Sequence, residues 1–374
     1  MRKIGLINAL LLMFVFNASA QIFSNKVVGE KKLEERDSLK QAVYPYMLPI
    51  WGEKVTKLGF DLPYSAGFST QYFYQESDIL INNLFVGFND GTMYDLDEIV
   101  RFNKATARTN SISVRPDVWL FPFLNVYGIF ARSNNDTNVD FGVYVPGEFH
   151  LDPDLGFQWN WVKAMDFKTE ANFEASTYGF GLTPTMGVGG GFIALDMNWS
   201  WSDIPELSEP ARIFVFGPRF GKNFQFGKPG QSLAVWVGGF RVKMNTGTSG
   251  SLSIDEVLPG FDDQITGAYE KIEKSQMAVD DWWSGLTIQE KADPINIAKR
   301  TAANKGLSVA GSVVDAASRA ETVQYSLDKR QAKMWNFIVG SQYQLNKSWA
   351  LRAEVGFLGT RTHVISGLQY RFGL

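Results

Sequence analysis

The stretch Thr177–Val188 (TYGFGLTPTMGV) runs into Gly189-Gly190-Gly191 and then into Phe192–Ser202 (FIALDMNWSWS). In the first half Tyr178, Phe180, Leu182, Met186 and Val188 alternate with Thr177, Gly179, Gly181, Thr183, Thr185 and Gly187. In the second, Ile193, Leu195, Met197, Trp199 and Trp201 alternate with Ala194, Asp196, Asn198, Ser200 and Ser202. A period of two is the repeat of a strand, whose successive side chains point to opposite faces. The three glycines between the halves read as a tight turn, so the pair is predicted to be an antiparallel hairpin with one apolar face and one small, polar face. The same alternation returns at Trp335, Phe337, Val339 and Tyr343, at Trp349, Leu351, Ala353, Val355 and Phe357, and at Leu368, Tyr370, Phe372 and Leu374.

A soluble β-sandwich alternates too, with its apolar face as the core. The composition of the opposite face favours a barrel instead. Gly, Ser and Thr there suit a crowded lumen, and Trp and Tyr near strand ends suit the aromatic girdles of a barrel that meets lipid. The predicted fold is all-β: a transmembrane antiparallel up-and-down β-barrel of about 10–12 strands, with a helical insertion and a short N-terminal helix. Ten segments fit: 65–76, 110–121, 125–134, 175–188, 191–203, 210–221, 231–245, 332–345, 348–358 and 361–374. Segments 79–88 and 139–146 would raise the count to twelve. Short connections at 121–124, 189–191, 227–230 and 346–347 are expected on the periplasmic side, and long loops at 77–109, 135–174 and 246–331 outside.

Residues 1–20 have the three parts of a signal peptide: Arg2 and Lys3, an apolar run from Ile4 to Phe16, and Ala18-Ser19-Ala20. Residues 21–62 are predicted to be a periplasmic N-terminal helical segment, and 63–374 the barrel. Within it, 255–330 carries apolar residues at helical spacing: Ile265, Ala268, Tyr269, Ile272 and Met277, then Leu307, Ala310, Val313, Val314, Ala317, Ala320 and Val323. This insertion is expected to form either a cap over the outer mouth or a plug. The expected location is the outer membrane of a Gram-negative bacterium. The expected partners are outer-membrane lipid and lipopolysaccharide, together with the barrel-assembly machinery, which would engage the C-terminal strand.

Composition narrows the chemistry. The chain of 374 residues has no Cys and two His, which removes thiol nucleophiles, disulfides and most zinc or iron–sulfur sites. Its net charge of −3 gives no basic surplus for nucleic acid. No cofactor or metal is expected, because the acidic pairs Asp262-Asp263 and Asp280-Asp281 match no calcium-loop spacing.

The stretch Arg115–Gly128, with Trp335–Gly340, Trp349–Gly356 and the closing Tyr370-Arg371-Phe372, resembles an uncharacterised family of Gram-negative outer-membrane β-barrel proteins. Some members of that family carry only a provisional virulence label. The resemblance runs from about residue 50 to the C-terminus. It implies an outer-membrane barrel and brings no substrate or catalytic residue.

Nine charged residues fall on the predicted polar faces and are the candidate lumen lining: Arg115, Asp117, Asp196, Arg219, Arg241, Lys243, Arg352, Glu354 and Arg371. Six basic against three acidic groups permit two readings: a paired network that fills a narrow interior, or a pore that favours anions. The expected function is therefore non-enzymatic, the passive passage or binding of a small solute at the cell surface. A surface adhesion protein acting through extracellular loops is one alternative. A barrel-rim lipid hydrolase using His363 or His150 is another, although Ser366 falls on the opposite strand face from His363.

Overall fold

The computed structural model describes residues 25–26, 37–38, 40–41 and 43–374, apart from 153–155, 206, 208, 227, 229 and 245–246. The predicted signal at 1–20 and most of the predicted helix at 22–45 lie outside the described residues. In chain order come β1 (Asn25–Lys26), helix α1 (Gly52–Lys57), β2 (Phe60–Asp61), β3 (Ala66–Phe88), β4 (Tyr94–Asp95), β5 (Val100–Phe121), β6 (Leu124–Asp152) and β7 (Gly156–Val188). Next are β8 (Gly191–Asp203), β9 (Ala211–Gln225), β10 (Ser232–Met244) and β11 (Gly247–Ser253), followed by α2 (Ile254–Val257), α3 (Phe261–Gly285), α4 (Ile288–Lys291) and α5 (Pro294–Ala317). The chain finishes with β12 (Thr322–Gln331), β13 (Trp335–Gln344), β14 (Trp349–Phe357) and β15 (Arg361–Phe372).

Ten strands close an antiparallel barrel in the order β3-β5-β6-β7-β8-β9-β10-β13-β14-β15, with β15 returning to pair with β3. The Gly189-Gly190 turn joins β7 to β8 with both residues at positive φ (57° and 79°), the geometry that matches hairpin twist. Alternation then fixes which face looks inward. On β8, Phe192, Ala194, Asp196, Asn198, Ser200 and Ser202 are buried, while Trp199 and Trp201 stack outside on Phe180 and Tyr178. Around the barrel the outward set is exposed and apolar, including Ile112, Val114, Phe130, Phe180, Phe220, Val237, Leu351, Val355 and Leu368. A continuous apolar belt bounded by aromatic rings is the surface a lipid-facing barrel presents. One ring comprises Phe68, Trp349 and Tyr370 near the short turns, and the other Tyr178, Trp199, Trp201, Phe214 and Trp335. Among the described residues no helix is long and apolar enough to cross a membrane.

The two ends of the barrel differ. The short turns gather at one end, where Ile50 N–H donates to Leu120 O, Met47 N–H donates to Leu374 O, and the Trp51 ring packs on Phe121 and Phe123. At the other end, the segments predicted as loops at 77–109 and 135–174 are mostly strand, which corrects that expectation. β6 and β7 contain 29 and 33 residues, about three times what a spanning strand needs. Segments 79–88 and 139–146 are continuations of β3 and β6, so the barrel has ten strands rather than twelve. β3 changes partners at Asp78. Below it, Ala66–Ser77 pairs with β15, and above it Ile79–Phe88 pairs with β12. The insertion thus sends β12 over the short β14–β15 hairpin and continues the wall upward, with β11 paired to its far edge.

A bulge gives this upper lobe its core. Between Asn82 and Phe85 of β3 there is one residue more than between their partners Asp328 and Ser326, and Asn83 takes the extra step at φ 52°. Inward parity moves from Ile79 and Ile81 to Leu84, Val86 and Phe88. These pack with Val143, Met165 and Phe167 of the extended hairpin and with the inner stripes of α3 and α5. On α5 the stripe is Ala303, Leu307, Ala310, Val313, Val314 and Ala317; on α3 it is Phe261, Ala268 and Val279, with Ile265 and Ile272 partly buried. Tyr269 and Met277, predicted on that stripe, are exposed, and Val323 belongs to β12. Asp293 caps α5 by accepting from Ile295 N–H, with Pro294 in the first turn. The helices therefore form a cap over the lobe strands, and side chains fill the lower half of the barrel interior.

Deleting Asn83 should turn Leu84, Val86 and Phe88 outward, at roughly 5 kcal/mol from about 1.5–3 per side chain. Limited proteolysis should then cut within 255–317 while the barrel keeps its compact, heat-modifiable migration on a gel.

Candidate functional site

Seven of the nine predicted charges meet inside the barrel. Arg219 is the hub, reaching from β9 with Nε and Nη2 donating to Glu354 of β14 at 2.8 and 3.0 Å, and Nη1 donating to Asp196 of β8 at 3.1 Å. Glu354 also accepts from Trp236 Nε1 at 2.7 Å and lies 3.4 Å from Arg352 Nη2. Asp196 accepts from the Tyr127 hydroxyl and from Thr183 Oγ1. The Arg352 and Arg115 guanidinium groups lie over the rings of Trp236 and Tyr127. From Tyr127 on β6 to Glu354 on β14 the network spans the lumen. It satisfies both carboxylates, as buried charges require.

Two glycines make this possible. Tyr127 is paired across the ladder with Gly181, and Trp236 with Gly340. A Cβ at either glycine would overlap the partner ring. Without side chains there, the rings lie along the wall and point their polar tips at Asp196 and Glu354. The glycine-rich inner face noted in the sequence is thus a bed for two aromatic rings.

A second tier lies toward the end with the short turns. Asp117 is ion-paired with Arg371 and accepts from Asn125 Nδ2 and Gln369 Nε2 at 2.8 and 3.1 Å, and Arg371 also donates to Tyr64 O. Between the tiers lies a cavity of about 120 Å³, and above the Arg219 tier lies one of about 1140 Å³. Gln71, Arg115, Asp196, Arg219 and Arg352 border both, so these five side chains form a septum between them.

Arg241 and Lys243 do not line the lumen, which corrects the expectation for both. Ala234, Trp236, Phe240 and Val242 are the inward residues of β10, which places Arg241 and Lys243 on the outward face with Val235 and Val237. They sit at the upper end of the strand, beside the Trp335 level of the aromatic ring. There the outward face meets water and headgroups, where basic residues are at home. Of the nine, four basic and three acidic groups remain inside, and Arg361, buried beside Asn336, adds a fifth cation that the sequence reading did not name.

His363 is fully buried in the wall, its ring against Phe240 (4.5 Å) and Phe73 (5.9 Å), with Nδ1 3.2 Å from Asn336 Nδ2. Ser366 is exposed on the outer face. The side chain of His150 lies outside the described residues.

The large cavity changes character with height. Its lower wall is polar, with Gln71, Ser111, Ser113, Ser133, Asn198 and Ser200; its upper wall is the apolar core of the lobe, with Val86, Val100, Phe141, Phe167, Val323 and Leu327. At the boundary sits Lys329, which the sequence reading missed. It leaves β12 beside Ile81 and carries its ammonium across to Thr137 Oγ1 of β6, 3.4 Å away. This level is above the exposed Glu76–Arg108 pair and outside the lipid-facing belt. No ion pair to Lys329 is present among the described residues, and burial alone pushes its pKa down to about 8.

No family model matches the chain, and no curated protein does either. Solved structures do. The likeness is one of fold. The β domain of the Bordetella autotransporter BrkA aligns with 82% of this chain and 100% of its own at 9% identity and a TM-score of 0.30. An outer-membrane channel from Pseudomonas putida covers 83% and 97% at 10% identity and 0.27. The translocator domain of the autotransporter NalP from Neisseria meningitidis covers 91% and 94% at 9% identity and 0.29.

Two outcomes check this geometry. Glu354→Ala leaves Arg219 with a single carboxylate and should cost about 3–5 kcal/mol in urea unfolding from micelles, whereas Arg219→Met combined with Glu354→Leu should cost much less than the sum of the two single changes. In protein whose lysines are ¹³C-dimethylated, one resonance should titrate near pH 8 and vanish in Lys329→Met.

Proposed function

We propose that this is an outer-membrane protein that holds a small solute in an outward-facing cavity and does not conduct freely in its resting state. The carrying observation is the septum, in which one salt-bridged tier is both the floor of the 1140 Å³ cavity and the ceiling of the 120 Å³ one. The signal-like start at 1–20, the aromatic-bounded belt and the long strands all on one side support a barrel with its lobe outside and its short turns in the periplasm. Its surroundings would then be outer-membrane lipid and lipopolysaccharide, reached through the assembly machinery. Of the two uses of a basic interior, filling is favoured over conduction, because Arg241 and Lys243 lie outside and Arg219 and Arg352 are engaged by Glu354.

We read the protein as non-catalytic. The best hydrolase candidate, His363, is lodged between two phenylalanine rings with Asn336 as its partner, and Ser366 points to lipid. A cavity of this size, mostly apolar with a few convergent polar groups, is the usual form of a small-molecule site.

Single-channel recording on the refolded mature chain tests this reading. The wild type should be nearly silent, and Arg219→Ala with Glu354→Ala should raise the current several-fold with the barrel intact. A steady ohmic current through the wild type would overturn the closed-receptacle reading.

A further inference from the structure

The large cavity has a hydrocarbon-like upper compartment and a polar lower one, with the Lys329 ammonium at their boundary; the exposed Arg108 and Arg330 also border it and are matched in number by the exposed carboxylates Glu170 and Glu209. Lys329 reaches that boundary from β12, and its recorded partner is one hydroxyl, Thr137 Oγ1, at 3.4 Å. An ammonium has three donors, so two remain for a ligand. Directly above it the inward residues of the same strand are Leu327, Tyr325 and Val323; Tyr325 and Val323 face Val86 and Phe88 across the ladder, and Leu84 lines the same cavity. Below, the septum contributes Arg115, Arg219 and Arg352 against Asp196 and Glu354, which leaves one positive charge more than negative. Arg115 has no ion pair among the described residues, and its Nε is buried without a hydrogen-bond partner. Both the boundary and the floor are therefore electropositive, and the space above the boundary is apolar.

From this juxtaposition we infer that the cavity takes a single-chain amphiphile with one acidic head group, carboxylate or phosphate, the head held by Lys329 and the chain lying in the apolar compartment under α3 and α5. The inference rests on the receptacle reading above and names its ligand class. A charge-assisted contact to a partly desolvated ammonium is the strong kind of hydrogen bond, and the chain would pack against the apolar upper wall. A neutral solute of the same length would gain the second interaction without the first. A cationic amphiphile would meet repulsion from Lys329 and the floor together.

The test uses the full mature chain in nanodiscs of zwitterionic lipid, with a neutral, environment-sensitive fluorophore in the cavity displaced by laurate, dodecyl phosphate, dodecanol or dodecyltrimethylammonium. Laurate, dodecyl phosphate or both should displace it at about tenfold lower concentration than dodecanol, the factor a single charged contact of about 1.4 kcal/mol supplies, and the ammonium should be the weakest. Lys329→Met should remove the preference for the acid while leaving dodecanol unchanged, and Lys329→Arg should restore it. Which acid wins tells a carboxylate from a phosphate head. Equal displacement by acid and alcohol, or a preference that survives Lys329→Met in a protein with unaltered heat-modifiable migration, would overturn the head-group assignment and leave the receptacle standing. Failure of every chain to displace the fluorophore would overturn both.

Discussion

Everything inside the barrel depends on how Arg219 is satisfied. A guanidinium nearly out of reach of water is tolerated only when its donors are spent on acceptors of opposite charge. Here Glu354 takes two of them and Asp196 a third, from strands on different sides of the lumen. The carboxylates in turn need further donors, which come from Trp236 and Tyr127. Those rings need a flat wall, which Gly340 and Gly181 supply. The chain of requirements runs from one charge to two glycines on two other strands. It explains why the inner face beside Tyr127 and Trp236 is bare, with a glycine opposite each of these two rings.

The second constraint is asymmetry. β8–β10 and β13–β15 stop near the upper aromatic ring, whereas β3 and β5–β7 continue beyond it. An open stack of long strands on one side would expose an unpaired edge and a broad apolar face, a liability for any sheet. The insertion between β10 and β13 answers both needs: β12 pairs with the upper edge of β3, and α3 with α5 covers the apolar face. The bulge at Asn83 is what aims Leu84, Val86 and Phe88 at those helices.

The sequence revealed most where only one face of a strand meets lipid. On β8 every residue from Phe192 to Ser202 alternates strictly, and each side chain lies on the side that alternation assigns. Above the belt the rule lapses because both faces can be polar. Asn134-Asn135-Asp136-Thr137-Asn138 has no apolar face to declare itself, yet it is central to β6. The same loss of contrast explains Arg241 and Lys243: treating every polar residue as luminal fails at a strand end that has left the lipid. Lys329 was obscured differently. Helical spacing across 255–330 drew the reading past Ala317, although Val323, Tyr325 and Leu327 alternating with Gln324, Ser326 and Asp328 marked a strand. Arg361, with Phe240 O, Met334 O and Asn336 Oδ1 as its acceptors, gave no signal of its luminal side beyond its parity with His363 and Arg371.

A ten-stranded barrel has room for side chains or one small ligand, and this one uses its lower half for side chains. The space that a ligand could occupy is therefore made largely by the lobe, from the extended strands, β12 and the helical cap. With the septum intact, whatever enters from the lobe side meets polar groups and a net positive charge at the bottom and hydrocarbon at the top. That order is inverted relative to a simple funnel from water into an apolar interior. It favours a molecule held at its polar end from below and covered along its length by the cap, so that the insertion and the site are one device.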